Sequence, residues 1–286
     1  MKKGEGMQSM KDNYGGNGNV PKWFSEAKLG VFLHWVAHSA VRPGDPVTPG
    51  HVFNTPFAQY RFLIDRFTLD AFDAERFVAR IKAIGARYLI PTSHHADGLC
   101  LWNTATTDFK MTNAPSRLDV IGALAEECRR QGLKFGLYFP YCDMSHPLMQ
   151  PLFAQGKQDS AGWGDHCPLT AEQLAEYRGH LKAQIRELCT QYGEISVLWW
   201  DGGPSDKAWV REIKQMVYDL QPCIIQNSRW SGGLWRGVGE PLCGDFFTPE
   251  QTVPSIRLFH KGRPVPCETC GFTTGNWLFD RTERNF

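Results

Sequence analysis

Short continuous apolar runs, separated by longer stretches of helical periodicity, constrain this chain most. Leu29–Trp35, Ala86–Thr92, Lys134–Tyr141, Ile195–Trp200 and Cys223–Gln226 read as strands. Ala74–Ile84, Asp119–Gln131, Ala171–Gln191 and Lys207–Leu220 carry helical spacing between them. Strands without polar alternation are buried on both faces, and alternation with helices predicts a parallel sheet. Punctuation supports the helices: Gly85, Gly132 and Gly193 follow three of them, Thr170 offers an N-cap, and Pro222 follows the fourth. Cys243–Thr248 and Pro264–Thr269 are weaker strand candidates.

Two parallel architectures compete. A doubly wound sheet usually carries a Gly-rich phosphate turn after an early strand, and none is present. Polar residues instead follow successive strands: His34, then His94 and His95, then Tyr138, Asp201, Asn227 with Arg229, and Glu250. In a barrel the C-terminal strand ends converge on one face, where sites are built. A chain of 286 residues suffices for such a domain, which needs ~250. The fold expected is therefore a (β/α)8-like TIM barrel over residues 21–286, preceded by a flexible, Gly-rich tail over 1–20. Arg42–Thr55 and Met144–Cys167 read as loops overhanging the catalytic face.

Bulk properties narrow the function. With 31 basic and 30 acidic residues, the chain lacks the basic excess that nucleic acid or an anionic membrane demands. No apolar run of membrane-spanning length occurs. Nine Cys form no regular disulfide framework, and Cys267-x-x-Cys270 has no second half for a zinc site, so it reads as structural. Free thiols and the absence of an apolar leader core predict a cytoplasmic location; a removed leader would make it secreted or periplasmic. The ten Trp supply core mass, and also flat faces of the kind that stack on sugars.

Asp201 closes an apolar strand and precedes Gly202-Gly203-Pro204, which aims a carboxylate into the mouth of a barrel. A retaining glycosidase needs such a carboxylate and a second carboxyl group ~5–5.5 Å away as acid/base. Glu250 and Glu268, on later strand ends, are the candidates. No H-E-x-x-H motif or His/carboxylate pair at ligand spacing supports a metal. His34, His94 and His95 therefore suit hydrogen bonding to sugar hydroxyls, and no metal or cofactor is expected.

Seven segments, in order, carry a family resemblance. Trp23-Phe24 through Ala27-Lys28-Leu29-Gly30-Val31-Phe32-Leu33-His34-Trp35 resembles the opening strand of the α-L-fucosidases of glycoside hydrolase family 29. Gly85-Ala86-Arg87-Tyr88 running into His94-His95-Ala96-Asp97-Gly98 resembles the second strand, and Gly132 to Tyr138 the third. Val197-Leu198-Trp199-Trp200-Asp201-Gly202 resembles the nucleophile strand. Asn227-Ser228-Arg229-Trp230, Gly244 to Glu250, and Glu268-Thr269-Cys270 complete the set.

The resemblance implies a cofactor-free retaining exo-glycosidase acting on terminal α-L-fucosyl residues of oligosaccharides or glycoconjugates. It implies Asp201 as nucleophile and His34, His94, His95, Tyr138, Trp199 and Arg229 as the sugar pocket. The Thr-Pro-Glu position implies Glu250 as acid/base, with Glu268 in reserve.

Three departures qualify this reading. The loop Pro49-Gly50-His51-Val52-Phe53 lacks the family's Glu-Trp, Ala96 is inserted in the His-His-Asp-Gly motif, and the sequence ends at Phe286. The first two leave an α-L-galactosidase as an alternative, and the first with the third leaves a weak or inactive sugar-binding relative. The third removes any counterpart of the last barrel strand and of a C-terminal β-sandwich. The edges of a seven-stranded barrel would then need cover from the N-terminal segment, further chain or a partner, a second copy in a homo-oligomer included.

Overall fold

In the computed structural model the described residues are 20–42, 44–45, 47, 55–153, 169–204, 206–230, 244–253, 259–260, 263–264, 266–273 and 277. The N-terminal tail and most of the two long loops, including residues 48–54, lie outside them.

Five parallel strands form one sheet in sequence order: β1 Gly30–Leu33, β2 Tyr88–Pro91, β3 Lys134–Pro140, β4 Val197–Asp201 and β5 Ile225–Gln226. Register aligns Gly30 with Tyr88, Tyr88 with Lys134, Tyr138 with Trp199, and Pro140 with Asp201. Single parallel bridges extend the array, Asn227 to Phe246 and Phe247 to Cys267. The two weak strand candidates thus become sixth and seventh parallel segments. An antiparallel pair, β6 Phe259–His260 with β7 Arg263–Pro264, stands apart from the sheet. Among the described residues no pairing closes the seventh segment onto β1, and no eighth strand is seen.

Four helices connect the strands: α1 Ala74–Ala83, α2 Val120–Gln131, α3 Ala171–Gln191 and α4 Lys207–Leu220. Each begins where a side chain satisfies backbone N–H groups left over at a helix start. Asp73 accepts from Arg76, Asp119 from Gly122, and Asp206 from Ala208 and Trp209. Thr170 and Gln173 form a reciprocal capping box. Gly132, at φ 71°, takes the left-handed conformation that ends α2.

Strand periodicity sorts the core into two shells. Tyr88, Ile90, Tyr138, Val197, Trp199, Ile225 and Phe246 pack together on the inner face, with Phe24 from the short helix Lys22–Glu26. Leu89, Phe135, Leu137, Phe139, Leu198 and Trp200 point outward, into a layer shared with α1 to α4. The sheet curves strongly: Phe32 of β1 contacts Trp199 of β4, at 4.9 Å between ring centroids, and Trp277, at 6.2 Å. Gly30 has a specific purpose here, since a Cβ would lie 2.1 Å from the Tyr88 ring that fills the foot of the inner face.

Candidate active site

The period of two that buries Val197 and Trp199 on the inner face carries Asp201 to the same side, at the C-terminal end of β4. Tyr138 obeys the same rule on β3. Its hydroxyl donates to Asp201 Oδ2 at 2.7 Å, while Arg229 Nη1 donates to Oδ1 at 2.9 Å. Burial, then the Asp201 charge, push the Tyr138 pKa well up, so its hydroxyl remains a neutral donor. The strand end is fixed as well. Asn227 exchanges amide hydrogen bonds with the Trp200 N–H and C=O at 3.0 Å each, and Trp230 Nε1 donates to the Asp201 carbonyl at 3.0 Å.

Arg229 joins the two carboxylates at the mouth. Its Nη2 donates to Glu250 Oε2 at 2.8 Å, and its Nε to Thr248 Oγ1 at 3.1 Å. Its guanidinium lies over the Trp199 ring at 4.4 Å. Burial works against the cation, but Asp201, Cys270 and Glu250 outweigh it and raise its pKa. One guanidinium thus contacts both acids, through Nη1 to Asp201 and Nη2 to Glu250. Glu250 Oε1 accepts from Trp277 Nε1 at 3.0 Å.

The imidazoles complete the wall. His95 lies flat on Tyr138, 5.3 Å between centroids and 2° between planes. His34 sits 5.5 Å from His95 and stacks on Trp277 at 5.0 Å. Burial, then the Arg229 charge, lower the His34 pKa to about 4; burial, then His34, lower that of His95 to about 3. Both rings are neutral near pH 7. A neutral imidazole offers one donor and one acceptor, which matches a sugar hydroxyl.

Glu268 occupies a deeper level. Its Oε2 accepts from the Tyr88 hydroxyl and its Oε1 from Trp199 Nε1, at 2.7 Å each. Tyr88 lies in the first row of the sheet, and Trp199 one inward row below Asp201. Burial raises the Glu268 pKa, against the pull of the two donors and Arg229.

Seven of the sequence-derived residues therefore come together around Arg229: His34, His95, Tyr138, Trp199, Asp201, Arg229 itself and Glu250. Glu268 joins the group through its hydrogen bond to Trp199 and through the charge of Arg229. His94 meets the group through His95 alone among the described contacts, its Nδ1 lying 2.9 Å from the His95 carbonyl oxygen. Past Thr92 the chain turns, so that His95 takes the inward direction. The His94 ring packs edge-on against Phe139, near Trp102, with Asp143 and His180 close by.

Sequence reasoning overlooked Phe32, Thr248 and Trp277. Phe32 was legible as the inward residue two before His34. Trp277 follows a segment with no strand periodicity and had no comparable signal.

Carboxylates, neutral imidazoles and aromatic faces thus gather at the C-terminal ends of parallel strands, where α/β domains of this kind build their sites. Comparison with known proteins makes the class specific. The alpha-L-fucosidase family model matches residues 7–286, and the chain belongs to that family.

The plasma alpha-L-fucosidase of Rattus norvegicus is 28% identical over 258 residues, 82% of this chain and 53% of that protein. The chain spans about half the length of the curated relatives it matches. The structure of alpha-L-fucosidase isoenzyme 1 from Paenibacillus thiaminolyticus superposes with a TM-score of 0.77 at 29% identity, covering 93% of this chain and 63% of that one. An unliganded alpha-L-fucosidase from Lactobacillus casei gives 0.74 at 28% identity, covering 92% and 82%.

Proposed function

We propose that this chain is a retaining exo-α-L-fucosidase that acts on fucosylated oligosaccharides or glycoconjugates. The observation that carries the reading is the shared guanidinium of Arg229, which keeps two carboxylates side by side at the ends of parallel strands. A partner common to both acids is compatible with the ~5–5.5 Å separation of a retaining pair.

Asp201 is the nucleophile. One carboxylate oxygen attacks the anomeric carbon as the glycosidic C–O bond breaks, and Glu250 donates its proton to the departing oxygen. The resulting glycosyl-Asp201 ester is hydrolysed by water, from which Glu250 takes the proton back. Arg229 and Tyr138 hold the Asp201 carboxylate in place through the hydrogen bonds at 2.9 and 2.7 Å. His34 and His95 bind ring hydroxyls as neutral partners. Phe32 and Trp277, both against His34, give the pocket an apolar wall suited to the methyl group of a 6-deoxy sugar. The seven parallel segments are most of a (β/α)8-like barrel, and residues 21–286 form its catalytic domain.

The test is hydrolysis of an aryl α-L-fucoside beside the matching α-L-galactoside. The wild type should release phenol from the fucoside preferentially. Asp201→Gly should lose at least about a thousandfold in kcat, in line with removal of a covalent nucleophile. Equal activity in the two proteins would contradict the assignment.

A further inference from the structure

We propose that Glu268 is a positioning residue of the hydrolytic site: it fixes the Trp199 indole, on which the guanidinium shared by Asp201 and Glu250 rests. The inference builds on the glycosidase reading above.

The geometry forms a continuous chain. The Glu268 carboxylate has both oxygens engaged, Oε2 by the Tyr88 hydroxyl and Oε1 by the indole N–H of Trp199. The face of that indole carries Arg229 at 4.4 Å. The same indole stacks on Tyr138, 5.8 Å between centroids and 22° between planes. Arg229 and Tyr138 are the two side-chain donors seen on the Asp201 carboxylate. A tilt of Trp199 therefore reaches the nucleophile by two routes, and reaches Glu250 by one.

A carboxylate suits this place for two physical reasons. An indole N–H buried on the inner face costs free energy unless it is paired. A negative charge at the N–H edge also enriches the ring face that meets the cation. The backbone adds a tether, since the Glu268 N–H donates to the Phe247 carbonyl at 2.9 Å. That places Glu268 beside the segment that carries Glu250, with Phe247 bridged to Cys267 and Glu250 to Cys270.

Positioning and proton transfer predict different kinetics. Glu268→Ala should lower kcat/KM by about tenfold to a hundredfold, the scale of an ångström-sized misplacement. The factor should vary between a dinitrophenyl and a phenyl fucoside far less than in Glu250→Ala, because the acid/base carboxyl is still present. Added azide should not restore turnover. Glu268→Gln, whose amide oxygen still accepts the indole N–H, should recover most of the loss. Glu250→Ala should behave oppositely, with a loss that grows with leaving-group basicity and is relieved by azide.

The Trp199 indole N–H resonance, assigned through Trp199→Phe, gives an arm independent of turnover. It should move upfield in Glu268→Ala. Azide rescue of Glu268→Ala, or a loss that tracks leaving-group basicity as steeply as in Glu250→Ala, would overturn the proposal and make Glu268 the acid/base. An unmoved indole resonance would also overturn it. A wild type with no fucosidase activity would overturn the functional reading alone, and the resonance would still decide the role of Glu268.

Discussion

At the scale of single residues, burial has turned the imidazoles near the site into neutral groups, and this ties stability to pH. His38, on the turn just after β1, is 4% exposed, and neither ring nitrogen has a hydrogen-bond partner. Burial lowers its pKa from 6.5 to about 4. Between those values the unfolded chain binds a proton that the folded chain refuses. Stability from this group is therefore complete above pH 6.5 and falls as the pH falls towards about 4. His34 and His95 add losses of the same sign. Replacing an unpaired buried polar ring by an apolar one of similar shape is close to neutral or stabilising. His38→Phe should thus keep or raise the melting temperature near about pH 7.5 and flatten its decline below about pH 6.5. Thermal unfolding across this range checks it; a lower melting temperature at the upper pH with an unchanged acid slope would contradict it.

At the scale of elements, the site depends on strand ends being tied to the helices behind them. Asp206 links two helices: it caps α4 through Ala208 and Trp209 and pairs with Arg178 of α3 at 2.8 Å. Further along α4, the buried Lys214 donates to the Asn227 carbonyl at 2.7 Å, beside the amide clip on Trp200. Asp206→Ala should cost about 1–2 kcal/mol in chemical denaturation, mostly through the lost cap. It should reduce kcat far less than any change at Arg229; a loss of activity without a loss of stability would be the wrong outcome. These elements were legible because their signals are local. α4 occupies the predicted Lys207–Leu220, and Asp119, Thr170 and the Gly132 stop stand where capping chemistry requires them. The sixth and seventh segments were faint because each makes only single bridge pairs, too few to impose a readable period. His94 and His95 were inseparable for a related reason: which of two adjacent residues faces inward depends on a turn after Thr92 that strand alternation does not encode.

At the scale of the whole molecule, distant parts of the chain meet on the inner face. Phe24 near the N-terminus touches Phe246 at 4.7 Å, and Trp277 reaches back to His34, just after β1, at 5.0 Å. Such long-range contacts bring Glu250, Arg229 and Asp201 together although no short motif holds them, and only the order of motifs pointed there. The level of Glu268, beneath Asp201 rather than beside it, belongs to this scale too and needed three dimensions. The central claim is that Asp201 bonds to the sugar. Its most direct test is incubation with a 2-deoxy-2-fluoro fucosyl fluoride, whose glycosyl-enzyme forms faster than it breaks down, followed by mass spectrometry of the intact protein and its peptides. The account predicts one fluorofucosyl adduct, on the carboxylate of Asp201, and none on Asp201→Gly. An adduct on Glu250 or Glu268, or turnover of fucosides without any adduct, would contradict it.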